Sequence, residues 1–107
     1  MEQGKIHTFI EEGIGWIKFY HPKSNSLPSV LLNEIARAIH LYDKDSSVKV
    51  IVIASEGDKA FCAGASFDEL LDIKNEVEGK NFFSGFAKVI LAMKESSKFV
   101  ISRIHGK

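Results

Sequence analysis

The sequence predicts a mixed α/β domain in which an initial hairpin leads into a mostly parallel sheet. Three observations carry this: two short β-rich stretches across residues 5–20, a continuous β-branched run over 47–55, and helix-periodic segments between and after these strands. At 107 residues the chain is one domain at most. A chain of that length can bury about 60 to 70% of its unfolded surface, so a core is possible.

Residues 5–20, KIHTFIEEGIGWIKFY, hold two stretches rich in Ile, Phe, Trp and Thr separated by EEG, with Trp16, Lys18 and Tyr20 alternating with Ile17 and Phe19. Alternation interrupted by a turn is a hairpin pattern. Residues 21–28, HPKSNSLP, concentrate turn formers and read as a loop. Leu31, Leu32, Ile35, Ile39 and Tyr42 then recur every three to four residues, as one buried helical face requires.

SVKVIVIAS, residues 47–55, suits a strand buried on both faces of a parallel sheet. Ser66 stands three residues before Glu69, the spacing of a reciprocal capping box, so a helix is expected to start there. Its continuation is expected to break near Gly79, after which Phe82, Phe83, Phe86, Val89, Ile90 and Met93 return to helical spacing. Trp16 and the three phenylalanines are expected in the core. KFVISRIHGK reads as a closing strand whose edge is expected to lie open. The element order is thus β-β-α-β-α-α-β, with no repeat or linker.

Composition narrows the function classes. Lys plus Arg equals Asp plus Glu at 14 each, so no charge excess points to nucleic acid or an anionic membrane. Cys62 is the sole cysteine, which rules out an internal disulfide and suggests a reducing compartment. The N-terminus has no apolar leader region, and no run approaches a membrane span, so a cytoplasmic location is expected. His7, His21, His40 and His105 show no pair at metal-ligand spacing, and no metal site is expected. The terminal HGK lacks both the earlier glycine and the following Ser or Thr of a phosphate-binding loop.

The chemically suggestive stretch is KAFCAGASFDELL, residues 59–71. In an open parallel sheet, ligands bind beyond the carboxyl ends of the strands, where this loop begins. Gly64 permits a bend or a close approach, and Ala63 and Ala65 leave neighbouring amides accessible. The Ala65 N–H, just before the Ser66 cap, would face a developing negative charge together with the positive end of the helix, as one half of an oxyanion hole does. A plain strand-to-helix turn explains the same residues, and spacing alone favours it. Asp68 and Glu69 read as first-turn cap and dipole partners before they read as an acid/base pair. Cys62, with no His or Asn at a recognisable spacing, reads as a small buried hydrophobe.

HPKSNSLP, followed about 30 residues later by SEGDKAFCAGASFDELL, resembles the first half of the crotonase superfamily, the enoyl-CoA hydratase/isomerase family. The likeness runs from the hairpin to ISRIHGK and implies a crotonase-like ββα spiral, with residues 1–107 forming a single partial domain, its N-terminal part. It implies an acyl-CoA substrate, coenzyme A entering as part of that substrate with no covalently bound cofactor. It implies Ala65 as a backbone oxyanion donor that helps stabilise the enolate. Ser24, Ser26, Leu27, Ala63, Ala65, Ser66 and Phe67 match the segments that line the CoA and thioester. It further implies a homo-oligomer, a trimer or dimer of trimers, for a full-length protein.

Two departures qualify the match. Ser66 stands where the family commonly has Asp. The second oxyanion donor and the acid/base carboxylates belong to a later Gly-Gly-Gly segment that this sequence does not contain, so little activity is expected of the chain alone. The alternative of another class is a non-catalytic acyl-CoA-binding or oligomerisation module built on half the fold.

Overall fold

The computed structural model describes residues 4–106. Residues 1–3, part of the expected leaderless N-terminus, and Lys107, part of the rejected phosphate-loop reading, lie outside the described residues. The elements follow in the expected order: β1 (Lys5–Glu11), β2 (Ile14–Tyr20), α1 (Ser29–Lys44), β3 (Val50–Ser55), α2 (Phe67–Leu71), α3 (Glu76–Glu95) and β4 (Val100–Arg103). They build one four-stranded sheet ordered β1-β2-β3-β4. β1 runs antiparallel to β2, and the remaining pairs are parallel.

The hairpin turns at Glu12 and Gly13, whose φ values are +51° and +83°. Two successive left-handed residues match the right-handed twist of the flanking strands. From β2, Ile17 and Phe19 point into the core, where they meet Leu31, Leu32, Ile35 and Ile39 of α1 and Ile51 and Ile53 of β3. The predicted α1 face is the buried one, Leu31 to Tyr42 inclusive. From Ile51 to Ser55, β3 is buried at every residue, as its unbroken β-branched run predicts.

α3 packs on α1 through Phe82, Gly85, Val89 and Ala92. The helices come so close that a Cβ on Gly85 would stand 2.8 Å from Leu32 Cδ1. Phe83 and Ile90, each about 100° round the helix from a buried neighbour, are 69% and 60% exposed, contrary to the expected core position of Phe83. Trp16 is also only half-buried. Sheet alternation puts it opposite the Ile17 and Phe19 face, in a register row with Phe9, Val52 and Ile101. There Lys18 Nζ lies 5.5 Å and 5.3 Å over the Phe9 and Trp16 rings.

The break between α2 and α3 falls at residues 72–75 rather than near Gly79. Asn75 starts α3 by accepting the Glu78 N–H on its side chain at 2.9 Å, and Gly79 continues the helix with its N–H on the Asn75 carbonyl. A glycine weakens a helix by about 1 kcal/mol relative to alanine, which a cap and a packed face can outweigh. The closing strand forms as expected, with Ile101–Arg103 exposed and its only pairing to β3 among the described residues. No helix of the described residues is long and apolar enough to cross a membrane.

Two side chains at the end of α1 fasten the helix to the rest of the molecule. The Tyr42 hydroxyl lies 3.1 Å from both the Phe9 and Trp16 carbonyls, tying α1 to the hairpin. Tyr42→Phe is therefore expected to lower stability by about 1 kcal/mol in a urea titration, with the fold unchanged. Asp43 accepts from the Ser97 hydroxyl and amide at 2.8 Å each and from the Ser96 hydroxyl at 3.2 Å. The Ser97 hydroxyl and then its amide hold the Asp43 carboxyl below the usual range. That stabilisation is present above the ordinary carboxylate pKa of about 3.9 and is lost as pH falls through the lower folded value. Asp43→Asn should give a flatter acid limb than the parent chain when stability is followed below pH ~4.

Candidate functional site

β2 and β3 are parallel, so the loops leaving Tyr20 and Ser55 emerge at the same end of the sheet. Those two loops build the site. At their junction the Leu27 N–H donates to the Gly64 carbonyl at 2.8 Å, and Leu27 forms an isolated parallel bridge with Ala65. A cleft of about 400 Å³ opens beside this bridge, lined by Lys23, Ser24, Ser26, Ala63, Ala65, Ser66, Phe67 and Asp68. Six of the seven sequence-derived site residues line it directly. The seventh, Leu27, is buried and joins the two loops through its backbone.

Gly64 has φ +99°, and a Cβ there would meet nothing within 4 Å. Of the two roles open to this glycine, the structure assigns the backbone bend and not a close approach within the chain. Because Leu27 bonds to the carbonyl one residue before Ala65, the Ala65 amide faces away from Leu27. Ala65 is exposed, and its N–H has no hydrogen-bond acceptor among the described residues. Beside it the Ser66 hydroxyl accepts the Glu69 N–H at 3.2 Å and caps α2. α2 is only five residues long, so its dipole adds less at Ala65 than the sequence suggested.

The capping box is half formed. Instead of returning to Ser66, the Glu69 carboxylate accepts the Ser29 N–H at 2.8 Å, at the start of α1. The residue before Ser29 is Pro28, which has no side-chain cap to offer, so a carboxylate from another helix serves that exposed donor. Asp68 pairs with Lys23 at 3.5 Å across the mouth of the cleft. The pair is half-exposed and worth little in stability, but it joins the two walls. Cys62 is half-buried against the core and accepts the Gly64 N–H at 3.4 Å. Burial pushes its thiol pKa up despite that bond, which disfavours the thiolate a nucleophile needs.

A model of the enoyl-CoA hydratase/isomerase family matches residues 9–107. The chain belongs to that family. Among curated members, the short-chain-enoyl-CoA hydratase of Clostridium acetobutylicum is 29% identical over 107 residues, covering 99% of this chain and 41% of the relative. The mitochondrial enoyl-CoA hydratase of Pongo abelii is 31% identical over 106 residues, covering 98% of this chain and 33% of the relative. The fold is that of the solved family members. The enoyl-CoA hydratase of Bacillus anthracis superposes with a TM-score of 0.83 at 22% identity, over 98% of this chain and 40% of that one. This family member thus spans between a third and about two fifths of the relatives named here.

Sequence reasoning read Asn25 only as part of a turn, and weighed His21 only as a metal ligand without a partner at the right spacing. Asn25 is 3% exposed and has φ +59°, next to Ser24 at +56°. Its Oδ1 accepts the His21 N–H at 2.8 Å, while its Nδ2 donates to the Glu56 and Ala60 carbonyls at 3.0 Å and 2.9 Å. His21, also buried, accepts the Lys23 N–H on Nδ1 at 3.0 Å. The available signal was the asparagine itself, the residue type most tolerant of left-handed backbone after glycine. Its long-range partners could not be read from spacing.

Gly64→Ala should cost about 1–2 kcal/mol in chemical unfolding, because the site has room for the methyl group but not for its backbone conformation. A Gly64→Ala variant as stable as the parent would remove the left-handed bend from the account of this loop.

Proposed function

We infer that the chain binds an acyl-CoA thioester in the cleft between residues 24–27 and 63–67. There the backbone amide of Ala65 would donate to the thioester oxygen as it gains enolate charge. The observation that carries this reading is the free, outward-facing Ala65 N–H in the same cleft as Ser24, Ser26, Ala63, Ser66 and Phe67. Ser24, Ser26, Ala63, Ser66 and Phe67 would contact the CoA and thioester, with Leu27 supporting them from below. The family membership and the CoA thioesters named for the relatives support the substrate class. Coenzyme A would enter as part of that substrate.

Asp68, which lines the cleft, and Glu69 next to it both have structural partners, Lys23 and the Ser29 amide respectively. That favours acid/base chemistry supplied from outside these 107 residues, with the chain forming one partial domain of a cytoplasmic, homo-oligomeric enzyme. Loss of one oxyanion donor alone costs about 10² to 10³ in rate. The purified chain is therefore expected to hydrate an enoyl-CoA far below ordinary enzyme rates. A second reading, an acyl-CoA-binding or oligomerisation module, draws support from the exposed Phe67, Leu71, Val77, Phe83, Phe99 and Ile104.

Titration of the chain with a non-hydrolysable acyl-CoA, followed by two-dimensional amide NMR, should move resonances at 24–27 and 63–67 and leave those of α1 in place. Shifts absent there, or spread over the whole chain, would overturn the site. In the complete enzyme, Ala65→Pro removes the N–H and should lower kcat by about 10² or more with the fold retained.

A further inference from the structure

Three hydrogen bonds hold the two loops in register, and one side chain makes two of them. Residues 56–60 leave β3 with a single backbone bond to the strands, from the Glu56 N–H to the Phe19 carbonyl at 2.9 Å. Among the described residues no backbone bond links residues 56–60 to one another. Their place is taken by side chains: His105 Nε2 lies 2.9 Å from the Gly57 carbonyl, and the Asn25 carboxamide donates one hydrogen to each end of the segment, at Glu56 and Ala60, while accepting the His21 N–H within its own loop. Its polar capacity is thereby largely used inside the protein, as burial demands. The third bond, from the Leu27 N–H to the Gly64 carbonyl, lies two residues along from Asn25 on one loop and four from Ala60 on the other.

We propose that Asn25 is the positioning residue of the acyl-CoA site: it fixes the course of residues 56–60 and so sets where the Ala65 amide stands relative to Ser24 and Ser26. It does not line the cleft. It acts through the Leu27–Ala65 bridge, which closes only when both loops reach the junction together. The part that concerns ligand rests on the reading of the cleft given above, whereas the coupling of the loops does not.

Two substitutions separate the carboxamide from the backbone it sits on. Asn25→Gly keeps the left-handed conformation at no steric cost and removes the side chain. Asn25→Asp keeps the shape and the acceptor but turns both donor contacts into carboxylate facing carbonyl. Hydrogen exchange of the whole 107-residue chain is read residue by residue, without ligand. In both variants the Leu27 amide should exchange at least about tenfold faster, the equivalent of one lost hydrogen bond, with α1 and β3 unchanged. Unchanged exchange at Leu27 overturns the proposal. So does a uniform rise across α1 and β3, or loss of the folded spectrum in both variants, since either would make Asn25 a residue of general stability.

Acyl-CoA titration supplies the second readout. The shifts at 63–67 should weaken in Asn25→Asp and recover as pH falls, because a protonated carboxyl regains one O–H donor. The ratio of variant to parent affinity should therefore rise toward acid. A flat ratio in a parent chain that binds overturns the positioning role. A parent chain that shows no acyl-CoA response would instead overturn the functional reading, and the exchange at Leu27 would still decide whether Asn25 couples the loops.

Discussion

The site depends on a single buried carboxamide. Two loops that leave neighbouring parallel strands have no regular secondary structure to align them, and among the described residues the segment after β3 has no backbone bond from one of its residues to another. Asn25 supplies the missing partners to Glu56 and Ala60. Because a buried amide left without partners costs more than a made hydrogen bond gains, this arrangement is specific as well as stabilising. The Leu27–Ala65 bridge then completes a short parallel pairing outside the sheet, and the cleft is the space beside it.

Everything beneath this junction prepares it. The parallel pairing of β2 with β3 delivers both loops to one end of the sheet. α1 begins at the end of the first loop and is anchored by Glu69 from the helix that follows the second. Asp68 at the cleft and Glu69 beside it therefore read as fastenings, and the burial of Cys62 against the core, which also raises its thiol pKa, fits a packing role. What remains free for chemistry is backbone: an amide that the bend at Gly64 turns outward. Small residues at Ala63 and Ala65 leave it uncovered.

A large part of this was legible in the sequence. The sequence order of elements, the buried stripe of α1 and the two-sided burial of β3 follow from periodicity, which depends on local geometry alone. The motif stretches around residues 24–27 and 63–67 led to the cleft, because their spacing and residue types carry a family pattern. The break before α3 was misplaced for a local reason: Gly79 looked like an interruption, whereas Asn75, an unremarked polar residue, begins the helix. Phe83 was misassigned because six apolar positions on α3 exceed what one partner helix can cover, and periodicity does not say which stripe wins.

By itself the sequence determined the strands and helices, the glycine that must bend, the cap at Ser66 and the residues that gather at the cleft. These are properties of neighbouring residues, set by steric limits and by hydrophobic repeat. Only the tertiary structure decided that Glu69 serves α1 rather than its own helix, and that Asn25 holds the exit of β3. It also decided that Trp16 lies on the face opposite the core. Each is a contact between residues far apart in the chain, created when packing brings unsatisfied groups together, and no spacing along the sequence encodes it.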